Sequence, residues 1–262
     1  VLSFRNSFKY YSEFNKFYVS LLLFGACFPS HAFHFLTQSN KISFEKIPFL
    51  KFLLNNKKSM IIPNYLRYLN YDFSIKKELI EKPQIFFIGR LCNQKRPFDF
   101  IEFCDLVNNK LPNIFTFHIF GEGPLKNTII KNIQRKSNAK DFKIYGKINN
   151  IGLFLNNPFA LIFTSSYEGQ PGVVGEAISS GIPVFSYPYD SFIVNLLRKT
   201  YYSNISTECS PESLFDIFSK EYSNLLSNDF CPSQDIKLIE TIFDRFEITK
   251  SWISFLNLLS DV

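Results

Sequence analysis

Glu168 and Glu176 stand with seven residues between them in the segment LIFTSSYEGQPGVVGEAISSGIP, Leu161 to Pro183, and their carboxylates are its only acidic groups. A carboxylate accepts hydrogen bonds and donates none, so a pair of them suits a ligand rich in hydroxyl groups. Leu161 to Ser165 is a short apolar run ending in hydroxyls, which reads as a buried parallel strand. Pro171 fits a first helical position and Gly181 a helix stop, so the segment reads strand, loop, helix. On that helix Val174, Ala177 and Ile178 share the face toward the sheet, while Gly172 and Glu176 share another. Ligands of open α/β sheets sit beyond the C-terminal ends of the strands, where N–H groups at a helix start take a phosphate oxygen. A phosphate beside two carboxylates is repelled unless the same molecule also offers them hydroxyls, and a nucleotide sugar offers both. The alternative is that the two glutamates complement a helix dipole on a solvated surface, and the spacing alone does not separate these readings.

Arg90 and Lys95 follow a second apolar run, Ile85 to Gly89, and so belong to the same edge of the sheet. Arg offers phosphate a planar fork and Lys a mobile point charge, and cations in a poorly hydrated cleft stabilise a departing diphosphate. Surface cations beside a turn would give the same pattern. Gly121 and Gly123, in GEGP, form a turn after a further strand, which by itself is a weak signal.

Taken together, IFFIGRLCNQKRP (Ile85 to Pro97), FHIFGEGP (Phe117 to Pro124), FKIYGKI (Phe142 to Ile148) and EGQPGVVGEAISSGIPV (Glu168 to Val184) resemble the retaining GT-B glycosyltransferases of family four, the glycosyl transferases group 1. The resemblance covers roughly residues 60 to 186. It implies an α/β fold of GT-B type: a Rossmann-like doubly wound parallel sheet as C-terminal donor domain, plus a partial N-terminal Rossmann-like domain. It assigns Arg90 and Lys95 to the diphosphate and Glu168 to the donor sugar, and these three form the expected catalytic set. Glu176 is assigned to the ribose hydroxyls, and the backbone of Lys147 and Ile148 to the base. Gly89, Gly121, Glu122, Gly123, Gly169, Gly172 and Val173 complete the expected donor site.

The implied reaction transfers a sugar, with retention, from a nucleotide-diphosphate sugar, a UDP-sugar by expectation, to a glycan or lipid-linked acceptor. The departing phosphate oxygen would help to deprotonate the acceptor on the same face. No metal and no cofactor beyond the donor substrate is expected. The implied setting is bacterial surface polysaccharide or lipopolysaccharide assembly, cytoplasmic and peripheral to the inner membrane face, with no nucleic-acid partner. A nucleotide-sugar-binding module without transferase activity is the alternative. A GT-B nucleotide-sugar epimerase is a third reading, for which no added acid and base stand out.

These residues need elements to place them. The chain has 262 residues, 46% of them hydrophobic, enough for one or two domains with a sizeable core. A balance of 29 basic against 23 acidic residues gives +6, which fits an anionic ligand or an anionic membrane face. The odd number of cysteines, 5, without CxxC spacing, fits a reduced cytosolic compartment. From Gln84 onward, strand-like runs at Ile85 to Ile88, Ile114 to Phe120, Phe142 to Tyr145, Ala160 to Thr164 and Pro183 to Ser186 alternate with helix-like stretches near 97–109, 124–136, 150–156 and 171–180. That alternation is the pattern of a parallel doubly wound sheet.

The expected organisation is residues 1–70 as the last part of the acceptor domain with its linker, 71–247 as the nucleotide-sugar-binding domain, and 248–262 as a terminal helix crossing back. The resemblance implies that about one hundred residues of the acceptor domain are missing before the start. Phe17 to Phe28, after Arg5, Lys9 and Lys16, is read as a buried helix; an exported lipoprotein leader is the rival, which Glu13 and Phe24 oppose. Residues 41–58 mix lysines with bulky apolar side chains, a half-buried basic helix or a segment lying on an anionic membrane, broken by Pro48. After Tyr187 the pattern fades, and the glycines frequent in the resembled family there are absent.

Overall fold

The computed structural model describes residues 2–4, 32–55, 57–66, 82–148, 158–227 and 229–260. The apolar run Phe17 to Phe28, Cys27 and the helix expected at 150–156 lie outside these residues.

The first sheet has three parallel strands in sequence order, β1 (Leu2–Phe4), β2 (Phe33–Phe35) and β3 (Ser59–Ile61). Between β2 and β3 run helices α1 (Gln38–Glu45) and α2 (Pro48–Asn55). Thr37 caps α1 by accepting the Asn40 N–H at 3.2 Å, and Pro48, which cannot continue α1, opens α2. Phe33 and Phe35 point to one face, where Phe44, Leu50 and Leu54 cover them. His34 points to the other.

The second sheet has six parallel strands: β4 (Gln84–Ile88), β5 (Thr116–Phe120), β6 (Phe142–Tyr145), β7 (Pro158–Phe163), β8 (Val184–Ser186) and β9 (Asn204–Ile205). Their order is β6-β5-β4-β7-β8-β9. The chain thus moves outward one way from β4 and, at β7, returns to move outward the other way. The ends of β4 and β7 are the topological switch point, where such sheets hold ligands. Helices α3 (Pro97–Lys110), α4 (Lys126–Gln134), α5 (Gly172–Ser179), α6 (Ser191–Leu197), α7 (Pro211–Leu226) and α8 (Ser233–Ile242) cover it. Alternate strand residues sort the core into two layers. Ile85, Phe87, Phe117, Ile119 and Ile162 meet Phe100, Phe103, Ile129 and Phe218 of α3, α4 and α7. Phe86, Leu161, Phe163 and Val184 meet Val174, Ile178, Ile193 and Ile239 of α5, α6 and α8.

Two boundaries differ from expectation. Pro171 lies just outside α5, its carbonyl accepting the Val174 N–H at 3.0 Å, and the first helical residue is Gly172. β5 begins at Thr116 rather than Ile114, because Asn113 takes a left-handed conformation (φ 61°) that turns the chain. The stop at Gly181 is as read: its φ is 73°, and Ile182 and Gly181 donate to the carbonyls of Ala177 and Ile178, the paired bonds of a Schellman end.

The last helix, α9 (Arg245–Ser260), runs against the first sheet. Ile248 and Phe255 are buried with Ala32 and Ile62, Trp252 meets the His34 ring at 4.5 Å, and the Lys58 ammonium bonds to the Leu258 carbonyl. A second seam joins Asn64 to Gln170: the Asn64 N–H donates to the Gln170 amide oxygen at 2.7 Å, and that amide returns a bond to the Asn64 carbonyl at 3.0 Å. Among the described residues no helix is long and apolar enough to cross a membrane.

Candidate functional site

At the ends of β4 and β5 two loops close on each other. The Gly89 N–H donates to Phe120 at 3.0 Å, the Leu91 N–H to Glu122 at 2.9 Å, and the Leu125 N–H to Leu91 at 3.0 Å. This contact explains GEGP. A Cβ on Gly121, at φ 152°, would lie 1.9 Å from the Gly89 carbonyl oxygen, and one on Gly123 would lie 2.3 Å from that of Leu91. Only glycine lets the loops approach so closely. Over them opens a cavity of about 380 Å³, lined by Ile88, Gly89, Arg90, Phe120, Gly121, Glu122, Lys147 and Ile148. Arg90 is exposed at its wall, and Glu122 is held at 2.6 Å by Lys126. Its apolar floor is stiff, since Phe120 stacks on Tyr145 with centroids 4.6 Å apart and 6° between planes. Beneath them His118 is buried, its pKa lowered to about 4 by burial and then by the Lys143 charge.

Beside the cavity Lys95 meets Glu168. Lys95 ends a short 3₁₀ turn, Asn93–Lys95, that is stapled to the loop after β7. The Thr164 hydroxyl donates to the Lys95 carbonyl at 2.7 Å, the Gln94 amide to the Tyr167 carbonyl at 2.8 Å, and the Ser166 N–H to the Gln94 carbonyl at 2.8 Å. So positioned, the Lys95 ammonium pairs with the Glu168 carboxylate, their side chains only 17% and 12% exposed. The lysine stem runs over Gly89, and its ammonium sits 5.4 Å from the centre of the Phe163 ring. Arg96, next in sequence, turns away through a left-handed conformation to Asp99 at 2.7 Å and the face of Tyr187.

On α5, a Cβ at Gly172 would lie 3.7 Å from a carboxylate oxygen of Glu176, so the two share a face as the spacing predicts. The helix start offers an anion less than expected: the N–H groups of Gly172 and Val174 are already bonded to the carbonyls of Gln170 and Pro171, each at 3.0 Å. Gly169 is buried in the loop, and Val173, like Ile88 and Ile148, packs against the core layer that holds Val174 and Ile178.

The expected site residues therefore fall into adjoining groups. Gly89, Arg90, Gly121, Glu122, Lys147 and Ile148 surround the cavity; Lys95, whose stem runs over Gly89, pairs with Glu168; Gly172 and Glu176 share the α5 face; Gly123 braces the loop. Ile88 and Phe120 were missed, although each ends a strand at the ligand edge. Tyr189, Asp190 and Ser39 were missed too. Asp190 caps α6 through the Ile193 N–H at 3.0 Å and accepts the Ser39 hydroxyl of α1 at 3.5 Å. Burial raises its pKa, and the Glu168 charge adds to that against opposing hydrogen bonds. An aspartate just before the apolar SFIVNLL was a readable cap signal.

Residues 70–220 match the family model described as Glycosyl transferases group 1. UDP-Gal:alpha-D-GlcNAc-diphosphoundecaprenol alpha-1,3-galactosyltransferase of Escherichia coli is 27% identical over 173 residues, 61% of this chain and 44% of that protein. Poly(ribitol-phosphate) alpha-N-acetylglucosaminyltransferase of Staphylococcus aureus is 34% identical over 100 residues, 38% of this chain and 20% of that one. Among solved structures, the pneumococcal O-GlcNAc transferase GtfA in complex with UDP and GlcNAc superposes with a TM-score of 0.72 at 16% identity, over 97% of this chain and 51% of that one. Anabaena Alr3699/HepE in complex with UDP and glucose gives 0.73 at 15%, over 94% and 68%. The chain thus spans less than half the length of the E. coli relative, and its fold is the expected α/β fold of GT-B type.

Proposed function

The chain belongs to the glycosyl transferases group 1 family, and from that premise we propose that it is the donor-binding half, with the adjoining part of the acceptor half, of a retaining hexosyltransferase. The donor is a UDP-sugar and the acceptor a glycan or a lipid-linked glycan of bacterial surface polysaccharide or lipopolysaccharide assembly. The E. coli relative, whose name carries both a UDP-sugar and a polyprenol diphosphate, supports this choice. The observation that carries the reading is the Lys95–Glu168 pair beside the cavity at the switch point, with Arg90 on the adjoining wall. Arg90 and Lys95 stabilise the charge that develops on the departing diphosphate. Glu168 accepts hydrogen bonds from the sugar and offsets positive charge at its reacting carbon. The departing phosphate oxygen takes the acceptor's proton on the face it leaves, which retains configuration. Glu176 takes the ribose hydroxyls, and the Lys147 and Ile148 backbone the base.

The site of work is the cytoplasmic face of the membrane, held peripherally. On α2, Phe52 is 64% exposed beside the exposed Lys51, an arrangement suited to an anionic lipid surface. A second reading is a nucleotide-sugar-binding module that transfers nothing.

Thermal shift with UDP, GDP, ADP and CMP tests both. A ligand at about 100 times its dissociation constant adds roughly 2.7 kcal/mol to the native state. One diphosphate should stabilise the protein, Glu176→Ala should remove that shift, and Arg90→Ala should weaken diphosphates more than nucleosides. Affinities unchanged in both variants would end the site assignment. Binding without release of UDP from UDP-sugars, with or without an acceptor, would favour the second reading.

A further inference from the structure

Tyr189 carries a hydroxyl that is buried and has no hydrogen-bond partner among the described residues. Such groups are rare because leaving one unmade costs about 1–3 kcal/mol. This one is not in a remote part of the core. Its ring lies 5.9 Å from that of Phe163, and Phe163 in turn lies under the Lys95 ammonium that pairs with Glu168. The next residue, Asp190, accepts the hydroxyl of Ser39 from the first sheet's helix at 3.5 Å. Burial, then the charges of Asp190 and Glu168, raise the Tyr189 pKa, which keeps the group a neutral donor.

The Lys95–Glu168 pair belongs to the protein without its donor. A diphosphate competes for Lys95, and the Glu168 carboxylate, once released, turns to the sugar. Resting on the proposed donor reading, the geometry points to Tyr189 as a specificity-determining residue: its hydroxyl hydrogen-bonds a ring hydroxyl of the sugar carried by the nucleotide, next to Glu168.

A merely tolerated hydroxyl would give a different result in the same experiment, which is calorimetric titration of wild type and Tyr189→Phe with UDP, UDP-glucose, UDP-galactose and UDP-N-acetylglucosamine. In Tyr189→Phe the affinity for the preferred UDP-hexose relative to UDP falls about threefold to tenfold, the size of one hydrogen bond, while that for UDP itself holds. The ligand-free variant melts higher than wild type, because an unpartnered polar group has gone. An unchanged ratio, or a lower melting temperature, overturns the assignment. Tyr189→Leu, read by the same ratio, covers the case in which Tyr189→Phe does not fold. Wild type that binds none of these nucleotides defeats the donor reading and the Tyr189 role with it; wild type that binds them with a ratio untouched by either variant defeats only the role.

Discussion

Lys95 is paired with Glu168 in the ligand-free protein, and this sets two expectations. Glu168→Gln frees the ammonium, so UDP should bind about fivefold more tightly, the worth of a pair of roughly 1 kcal/mol, while transfer falls. Calorimetry that finds UDP binding weaker in Glu168→Gln would show that the two side chains bind the nucleotide together rather than in competition. Lys95→Met should weaken UDP and leave uridine unaffected. His118 gives a prediction about acidity. Its folded pKa, about 4, lies below the ordinary 6.5, so the unfolded chain binds more protons between those values. Stability present above pH 6.5 is therefore lost as pH falls toward 4, by up to about 3 kcal/mol. Urea melts of His118→Gln should show a shallower loss across this window than wild type, and an equal slope would assign the loss to carboxylates.

The loops after β4 and β5 depend on their glycines. Gly121→Ala places a Cβ 1.9 Å from the Gly89 oxygen, on a backbone at φ 152°, and should cost about 3 kcal/mol or more together with the nucleotide response. Equal melting temperatures for Gly121→Ala and wild type would mean that the loops part without penalty. The sequence exposed this element well: GEGP and the end of IFFIGR could be placed at one sheet edge because strand periodicity and chain order are local signals. The Lys95–Glu168 contact could not be read, since it depends on Thr164 and Gln94 tying loops more than 60 residues apart. The Asp190 cap could be read beside SFIVNLL, but its contact with Ser39, 151 residues away, could not, and a strand as short as β9 (Asn204–Ile205) carries too few residues to show a period. Helices α7 and α8 had better signals. Ser210 before Pro211 is a cap followed by a favoured first residue, and the fading of the glycine pattern obscured it.

At the scale of the whole molecule, α9 and the Asn64–Gln170 bonds hold the first sheet to the second, while every wall of the 380 Å³ cavity comes from the second. Phe255, 1% exposed among Ala32 and Ile62, is the centre of that attachment. Phe255→Ala should cost about 3–5 kcal/mol at this seam and leave UDP affinity within about twofold. Limited proteolysis and calorimetry on one preparation check the two halves of the expectation, and a collapse of UDP binding would show that the donor cavity needs the first sheet.

The bonds from Thr164, Ser166 and Gln94 cross between two loops at fixed spacing. They fix the backbone of the cation's loop to that of the carboxylate's loop, so the two act as the jaws of a calliper whose opening does not change when the side chains part. A donor is gauged by the span from its charged bridge to its sugar. A donor whose bridge carries one phosphate in place of two should therefore stabilise the protein less than the matching diphosphate donor, in the same thermal-shift panel.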